Sequence, residues 1–399
     1  MRIGIVTGEY YPMRGGVGDF SRELAFGLCR RGHEVHLIIP VNCSHAPHAP
    51  SPASCILHPV ILHWSYSSLL RIRALARKLN LDLINLQYQT LAYGMTLPIH
   101  FLPRLAGLPV VVTFHDLRVP YLFPYAGPLR RAVVNALAGS AAGVIVTNPE
   151  DEQALASRVT CHVSRLARIP IGSNFQVNPP PGYDREQWRE AMGLGPGEIL
   201  VGFFGFLNRA KGGQVLIDTM EILVARGLPI RLVLVGGTAP PSPVRDPSAG
   251  GGAGGEGQYH QVLENLDPQA RLGDRVIVTG YLEPPLVSAH LLACDVLALP
   301  YSSGATLRSG SFIAALLHGC PIVITEPLVP IPELEDGKNV CLVPREDPRA
   351  TADAIQELLT AANLLAQLSS GAQSLAREFE WDEIAVQTAA LFERIRTSP

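Results

Sequence analysis

The chain has 399 residues, too many for one ordinary hydrophobic core and enough for two domains. Hydrophobic residues make up 47% and charged residues 17%, and the net charge of -3 gives no electrostatic reason to expect nucleic acid. The cysteines (Cys29, Cys43, Cys55, Cys161, Cys294, Cys320 and Cys341) are odd in number and form no C-x-x-C pair, which argues against a disulfide framework and a structural zinc site and for a reducing cytosol.

An apolar strand is expected at 2–7, directly at the start, so no signal peptide is expected. An amphipathic helix at 18–31 follows, with Phe20, Leu24 and Leu28 on one face, then a strand at 34–40. Further strands are predicted at 83–86, 109–113 and 142–147, with helical segments between. This rhythm implies a parallel sheet covered on both faces. It restarts with a strand at 198–204, a helix at 214–226 and strands at 231–235, 275–278, 296–299 and 321–324. A Pro-rich stretch at 178–181 separates the two runs, and a hinge is placed near 171–181. The segment 238–257, dominated by Ala, Gly, Pro and Ser, reads as a flexible insertion, and 44–54 reads as a loop. A final helix is expected at 381–396, and no apolar run is long enough to predict a membrane span.

Four segments carry chemistry. The first is Gly15-Gly16-Val17-Gly18, between the first strand and the first helix. Glycines there let backbone approach a ligand, and helix-end amides favour an anion; the plainer reading is a tight turn. The spacing is not G-x-G-x-x-G, which counts against a nicotinamide dehydrogenase. The second is Val111 to Asp116, where His115 follows an apolar run at the carboxyl end of a strand. Ligands of doubly wound sheets sit there, so His115 is a candidate to hold a hydroxyl or a phosphate rather than merely to end a strand. The third runs from Phe203 to Gly213 and carries Asn208, Arg209 and Lys211 in a strand-to-helix loop. Its cations suit a diphosphate leaving group, while its spacing is not that of a Walker A loop. The fourth is Pro300 to Ser311, where Ser309, Gly310 and Ser311 supply an N-cap and small residues at a helix start, either a phosphate seat or an ordinary capped helix.

Taken in order, these segments resemble the retaining glycosyltransferases of the GT-B fold, family 4. Gly15-Gly16-Val17-Gly18 with Gly32-His33-Glu34-Val35 is similar to the family's opening, and Ile169-Pro170-Ile171-Gly172-Ser173-Asn174 to its interdomain segment. Gly205-Phe206-Leu207 with Lys211-Gly212 resembles its "GRL…KG" loop. Val278 to Leu282, Ala293 to Pro300, His318 to Val323 and Asp336 to Asn339 complete the match. The resemblance implies an α/β chain of two Rossmann-like domains with parallel sheets facing across a cleft. Residues 1–172, with the helix at 381–396 crossing back, would form the acceptor-side domain, and 173–380 the nucleotide-sugar domain. It implies a glycosyltransferase with a nucleotide-sugar donor, a sugar, lipid-linked or small-molecule acceptor, and no metal or other cofactor. Lys211 would bind the diphosphate, Gly280, Tyr281 and Leu282 would lie by the base, Gly16 would approach the phosphates and His115 the transferred sugar.

Two departures stand out. The arginine of "GRL" is Phe206 here, with Arg209 three residues on, and the two glutamates of the family's E-x7-E signature are Thr306 and Ala314. The donor would then be held through Ser309 and Ser311, or activity would be reduced or absent. A non-catalytic nucleotide-sugar binder and a nucleotide-sugar epimerase are the alternatives. Arg71, Arg73, Arg77 and Lys78 lie at helical spacing among leucines, which suits either a solvated face or a peripheral contact with the inner membrane surface.

Overall fold

The computed structural model describes residues 1–13, 16–43, 54–117, 129–157, 165–173, 175–205, 207, 211–236 and 268–397. Gly15, Phe206, Asn208, Arg209 and nearly all of the segments 44–54 and 238–257 lie outside the described residues. The chain divides into two compact units, Met1–Gly172 with Glu378–Pro399, and Ser173–Arg377.

The first unit holds strands β1 (Arg2–Thr7), β2 (Glu34–Pro40), β3 (Cys55–Ile61), β4 (Leu83–Tyr88), β5 (Val110–Phe114), β6 (Gly143–Val146) and β7 (Leu166–Arg168). They form one parallel sheet in the order β3-β2-β1-β4-β5-β6-β7. The second unit holds β8 (Ile199–Phe204), β9 (Ile230–Val235), β10 (Val276–Val278), β11 (Val296–Leu299), β12 (Ile322–Thr325) and β13 (Cys341–Val343). These form a second parallel sheet, β10-β9-β8-β11-β12-β13. Each sheet therefore reverses its winding once, beside its first strand: between β1 and β4, and between β8 and β11. Loops leaving the carboxyl ends of those strands diverge, which opens a crevice there.

The sequence pattern does not reveal β3, β7 and β13. β3 carries His58 and Pro59 and sits at the sheet edge, where a strand tolerates a missing N–H and keeps no clean apolar run. β7 and β13 are three residues each, too short to display a period.

In the first unit, Phe20, Leu24 and Leu28 of the helix Gly16–Arg30 share a core with Ile384, Ala385, Leu391 and Phe392 of the C-terminal helix Trp381–Thr397. The helices meet closely at Gly27, where a β-carbon would lie 2.8 Å from that of Ala385. Arg30 donates to Asp382 at 2.8 Å at the rim of this contact. Among the described residues no helix is long and apolar enough to cross a membrane, and no three His, Cys, Asp or Glu side chains are grouped to hold a metal ion.

Candidate functional site

The crevice of the second unit is built by two loops that touch. Gly212 follows β8 with a φ of 73°, and a β-carbon there would fall 1.7 Å from the carbonyl oxygen of Pro300, just past β11. Only glycine supplies both the left-handed backbone and the space. Their approach brings Lys211 onto the β11 side. Its Nζ lies 4.2 Å from the Tyr301 ring centroid and donates to Ser309 Oγ at 3.1 Å. Tyr301 Oη and Ser309 Oγ are 3.0 Å apart, closing the group. Burial lowers the pKa of Lys211. Burial also pushes the Tyr301 phenol up to about 12, so it remains protonated at neutral pH.

Ser309 stands at the N-cap of helix Gly310–Leu317, as its sequence position suggested, but its hydroxyl does not cap the helix. It is turned toward Lys211 and Tyr301 instead. First-turn amides without a side-chain cap, next to a cation and two hydroxyls, form an anion-binding arrangement. Ser311 lies alongside, its Oγ 2.7 Å from where a β-carbon on Gly205 would be. Gly310 faces the Phe175 ring, and Phe175 meets Phe204 edge-on at 5.2 Å. Gly280 has a φ of 69° and bridges Gly236. Tyr281 beside it is 61% exposed, and Leu282 is half-buried. The two positions of the missing glutamates have other uses. Thr306 Oγ1 accepts from the Arg308 amide at 3.3 Å, and Ala314 is fully buried in the helix core.

The crevice of the first unit has a different chemistry. His115 follows β5 directly, is 9% exposed, and meets Phe20 edge-on at 4.7 Å. Its Nε2 lies 2.8 Å from Oε1 of Gln87. Gln87 Nε2 in turn donates to Asn85 Oδ1. Asn85 Nδ2 donates to Thr113 Oγ1 at 2.9 Å and to the carbonyl of Val111 at 3.2 Å. The sequence pattern ends this strand at Leu86. The structure corrects this: β4 continues to Tyr88, and both Asn85 and Gln87 are fully buried on it. The strand persists because register pairing with Thr7 on one side and Thr113 on the other continues through Gln87. Gly16 opens the first helix, and a β-carbon on it would meet nothing. Near it a pocket of about 260 Å³ is lined by Tyr10, Tyr11, Pro12, Met13, Asp19 and Arg22.

The structure thus brings Lys211, Ser309, Gly310 and Ser311 together in the second unit and places His115 in the first. Tyr301, Gln87 and Asn85 are additions that sequence reading missed. The signal for the last two was present: side-chain amides in a strand of a parallel sheet, where burial on both faces calls for apolar residues.

A family model described as glycosyl transferases group 1 matches residues 198–361, and one described as a glycosyl transferase 4-like domain matches 15–172. A D-inositol 3-phosphate glycosyltransferase of Corynebacterium urealyticum is 27% identical over 65% of this chain and 58% of its own length. One of Paenarthrobacter aurescens is 24% identical over 94% of this chain and 91% of its own. Anabaena HepE, solved in complex with UDP, superposes with a TM-score of 0.70 at 18% identity, covering 99% of this chain and all of that one. The same protein solved with UDP-glucose gives 0.65 at 19% over 99% of this chain and 100% of its own. At these identities the two superpositions show a shared fold.

A half-buried ammonium costs stability while it is charged. The folded-state pKa of Lys211 lies below its ordinary value of 10.5, so the unfolded chain binds more protons between the two and wild-type stability rises with pH across that window. Replacing Lys211 by Met is expected to raise the melting temperature of the ligand-free protein at neutral pH by about 1–3 °C and to remove that alkaline rise. Thermal denaturation at neutral and alkaline pH checks this; a lower melting temperature for Lys211→Met at neutral pH would contradict it.

Proposed function

The chain belongs to the group 1 glycosyltransferases, and on that premise we propose that it moves a glycosyl group from a nucleoside-diphosphate sugar to a hydroxylated acceptor with retention of anomeric configuration. In this reading the second unit binds the donor and the first the acceptor. The observation that carries it is the Lys211, Ser309 and Tyr301 group beside an uncapped helix start at the winding reversal of the second sheet.

Cleavage of the glycosidic bond leaves negative charge on the diphosphate and positive charge on the anomeric carbon. Donors already aimed at the departing oxygens stabilise that separation without reorganising. Lys211 supplies the cation, Ser309 and Tyr301 supply hydroxyls, and the amides of Gly310 and Ser311 supply the end of a helix dipole. Arg209 and Asn208 are proposed as further diphosphate contacts, Gly15 and Gly16 as a close backbone approach to the phosphates, and Gly280, Tyr281 and Leu282 as neighbours of the base. For His115 we propose contact with a sugar hydroxyl of the substrate. No carboxylate serves the ribose at Ala314, which is sealed in the core, so the nucleoside is held without the E-x7-E pair. HepE was solved with UDP-glucose and the relatives are named for D-inositol 3-phosphate, which makes uridine nucleotides and cyclitol or sugar phosphates the first substrates to offer.

A peripheral membrane contact is proposed for the helix Tyr66–Lys78. Leu62, Tyr66 and Leu70 are 60%, 50% and 56% exposed, next to exposed Arg71, Arg77 and Lys78. Arg73 does not join that face; it packs half-buried against Gly107.

Nucleotide sugars offered with D-inositol 3-phosphate and a panel of sugars are expected to give a product of retained configuration by proton NMR. Lys211→Met should then lower kcat by about 10²–10³. Donor converted to its epimer without acceptor, donor bound without turnover, or Lys211→Met at wild-type rate would each refute the transferase reading as stated. Vesicles rich in anionic lipid are expected to sediment the protein at about 0.01 M salt and release it at about 1 M, with Arg71→Glu/Arg77→Glu abolishing the binding. Equal binding to neutral vesicles, or no binding to either, counts against the membrane contact.

A further inference from the structure

Asn85, Gln87, Thr113 and His115 occupy one face of the first sheet, the face that otherwise presents Leu83 and Val111 to an apolar core. Polar side chains in such a place destabilise the fold unless each finds a partner. Here they satisfy one another in series, and one end of the series has a fixed polarity.

The carbonyl oxygen of Val111 only accepts. The group of Asn85 facing it at 3.2 Å is therefore the amide NH2, and that side-chain nitrogen also reaches Thr113 Oγ1. Asn85 Oδ1 must then face Gln87, so Gln87 presents its own NH2 to Asn85. Gln87 Oε1 is left facing His115 Nε2 at 2.8 Å, and an oxygen without a hydrogen requires an N–H opposite. Reversing either amide sets two acceptors against each other inside a buried strand. Phe20, edge-on at 80° to the imidazole, holds the ring plane in which this contact is made.

We infer that the Val111 carbonyl fixes the tautomer of His115 through Asn85 and Gln87, making these two amides positioning residues that keep Nε2 protonated and Nδ1 the accepting nitrogen. A neutral imidazole so fixed accepts a hydrogen bond from a hydroxyl at Nδ1. It does not offer a donor there. The reading that a substrate hydroxyl meets His115 is the one proposed above, and the substrate part of the inference rests on it; the tautomer does not.

The test uses the full chain labelled with ¹⁵N-histidine and long-range ¹H–¹⁵N correlation spectra, which report the tautomer whether or not any substrate turns over. Wild type is expected to show His115 as the Nε2–H form. Gln87→Met, similar in length and unable to accept well, is expected to lose that preference. The wild-type spectrum needs no variant to fold. An Nδ1–H form in wild type, or an unchanged tautomer in a folded Gln87→Met, overturns the inference. In transfer assays Gln87→Met is expected to lower kcat roughly tenfold with donor KM changed by less than about twofold. A tautomer that shifts while turnover does not overturns the positioning role, and leaves the donor site at Lys211 to be judged by its own variant.

Discussion

The carbonyl oxygen of Pro300 occupies the space a β-carbon on Gly212 would need. That single close approach joins the loop after β8 to the loop after β11, at the one place in the second sheet where the winding reverses. Lys211, next in the chain to Gly212, is thereby laid over the Tyr301 ring and against Ser309. Ser309 in turn starts the helix Gly310–Leu317 and spends its hydroxyl on the cluster rather than on the helix end. A cation, two hydroxyls and a set of helix-end amides are therefore brought together by that backbone contact and closed by side-chain bonds. The arrangement costs stability, since a half-buried ammonium is poorly solvated, and such costs are commonly retained where function needs them.

Both sheets are wound the same way, yet their crevices differ in chemistry. The second gathers a lysine and hydroxyl groups at a helix start. The first has a neutral chain of amides running from the middle of β4 and β5 to a histidine at the rim. One set of groups suits a phosphorylated leaving group and the other the hydroxyls of a sugar. This division follows from which side chains sit at the carboxyl ends of the strands, since the surrounding folds are alike.

The alternation of apolar runs with helix-period segments made the two parallel sheets legible, because strands such as β8 and β11 are continuous apolar runs that end at a glycine or a proline. Edge strands were not legible. β3 is half exposed and carries a proline, and its place depends on pairing with β2, which no local pattern encodes. The same holds at the site. Lys211 and Ser309 stand out as a cation in a strand-to-helix loop and a serine at a helix start, but their meeting across 98 residues of sequence, and the part of Tyr301 in it, depends on two loops converging in space. Gln87 was misread for a related reason. An amide side chain looks like the end of a strand until its neighbours across the sheet are known. Thr306 and Ala314 were readable as departures, and the structure adds that Ala314 faces only core.

In the proposed function a nucleoside diphosphate is held by Lys211 and the start of helix Gly310–Leu317. Hydrogen exchange of the full chain, with and without UDP, tests it most directly, since amides that bind phosphate are protected in proportion to occupancy. Slowed exchange is expected in peptides covering Lys211 to Leu216 and Tyr301 to Ile313, with loss of that protection in Lys211→Met. UDP binding that leaves those peptides unchanged, or protection there that survives Lys211→Met, would contradict it.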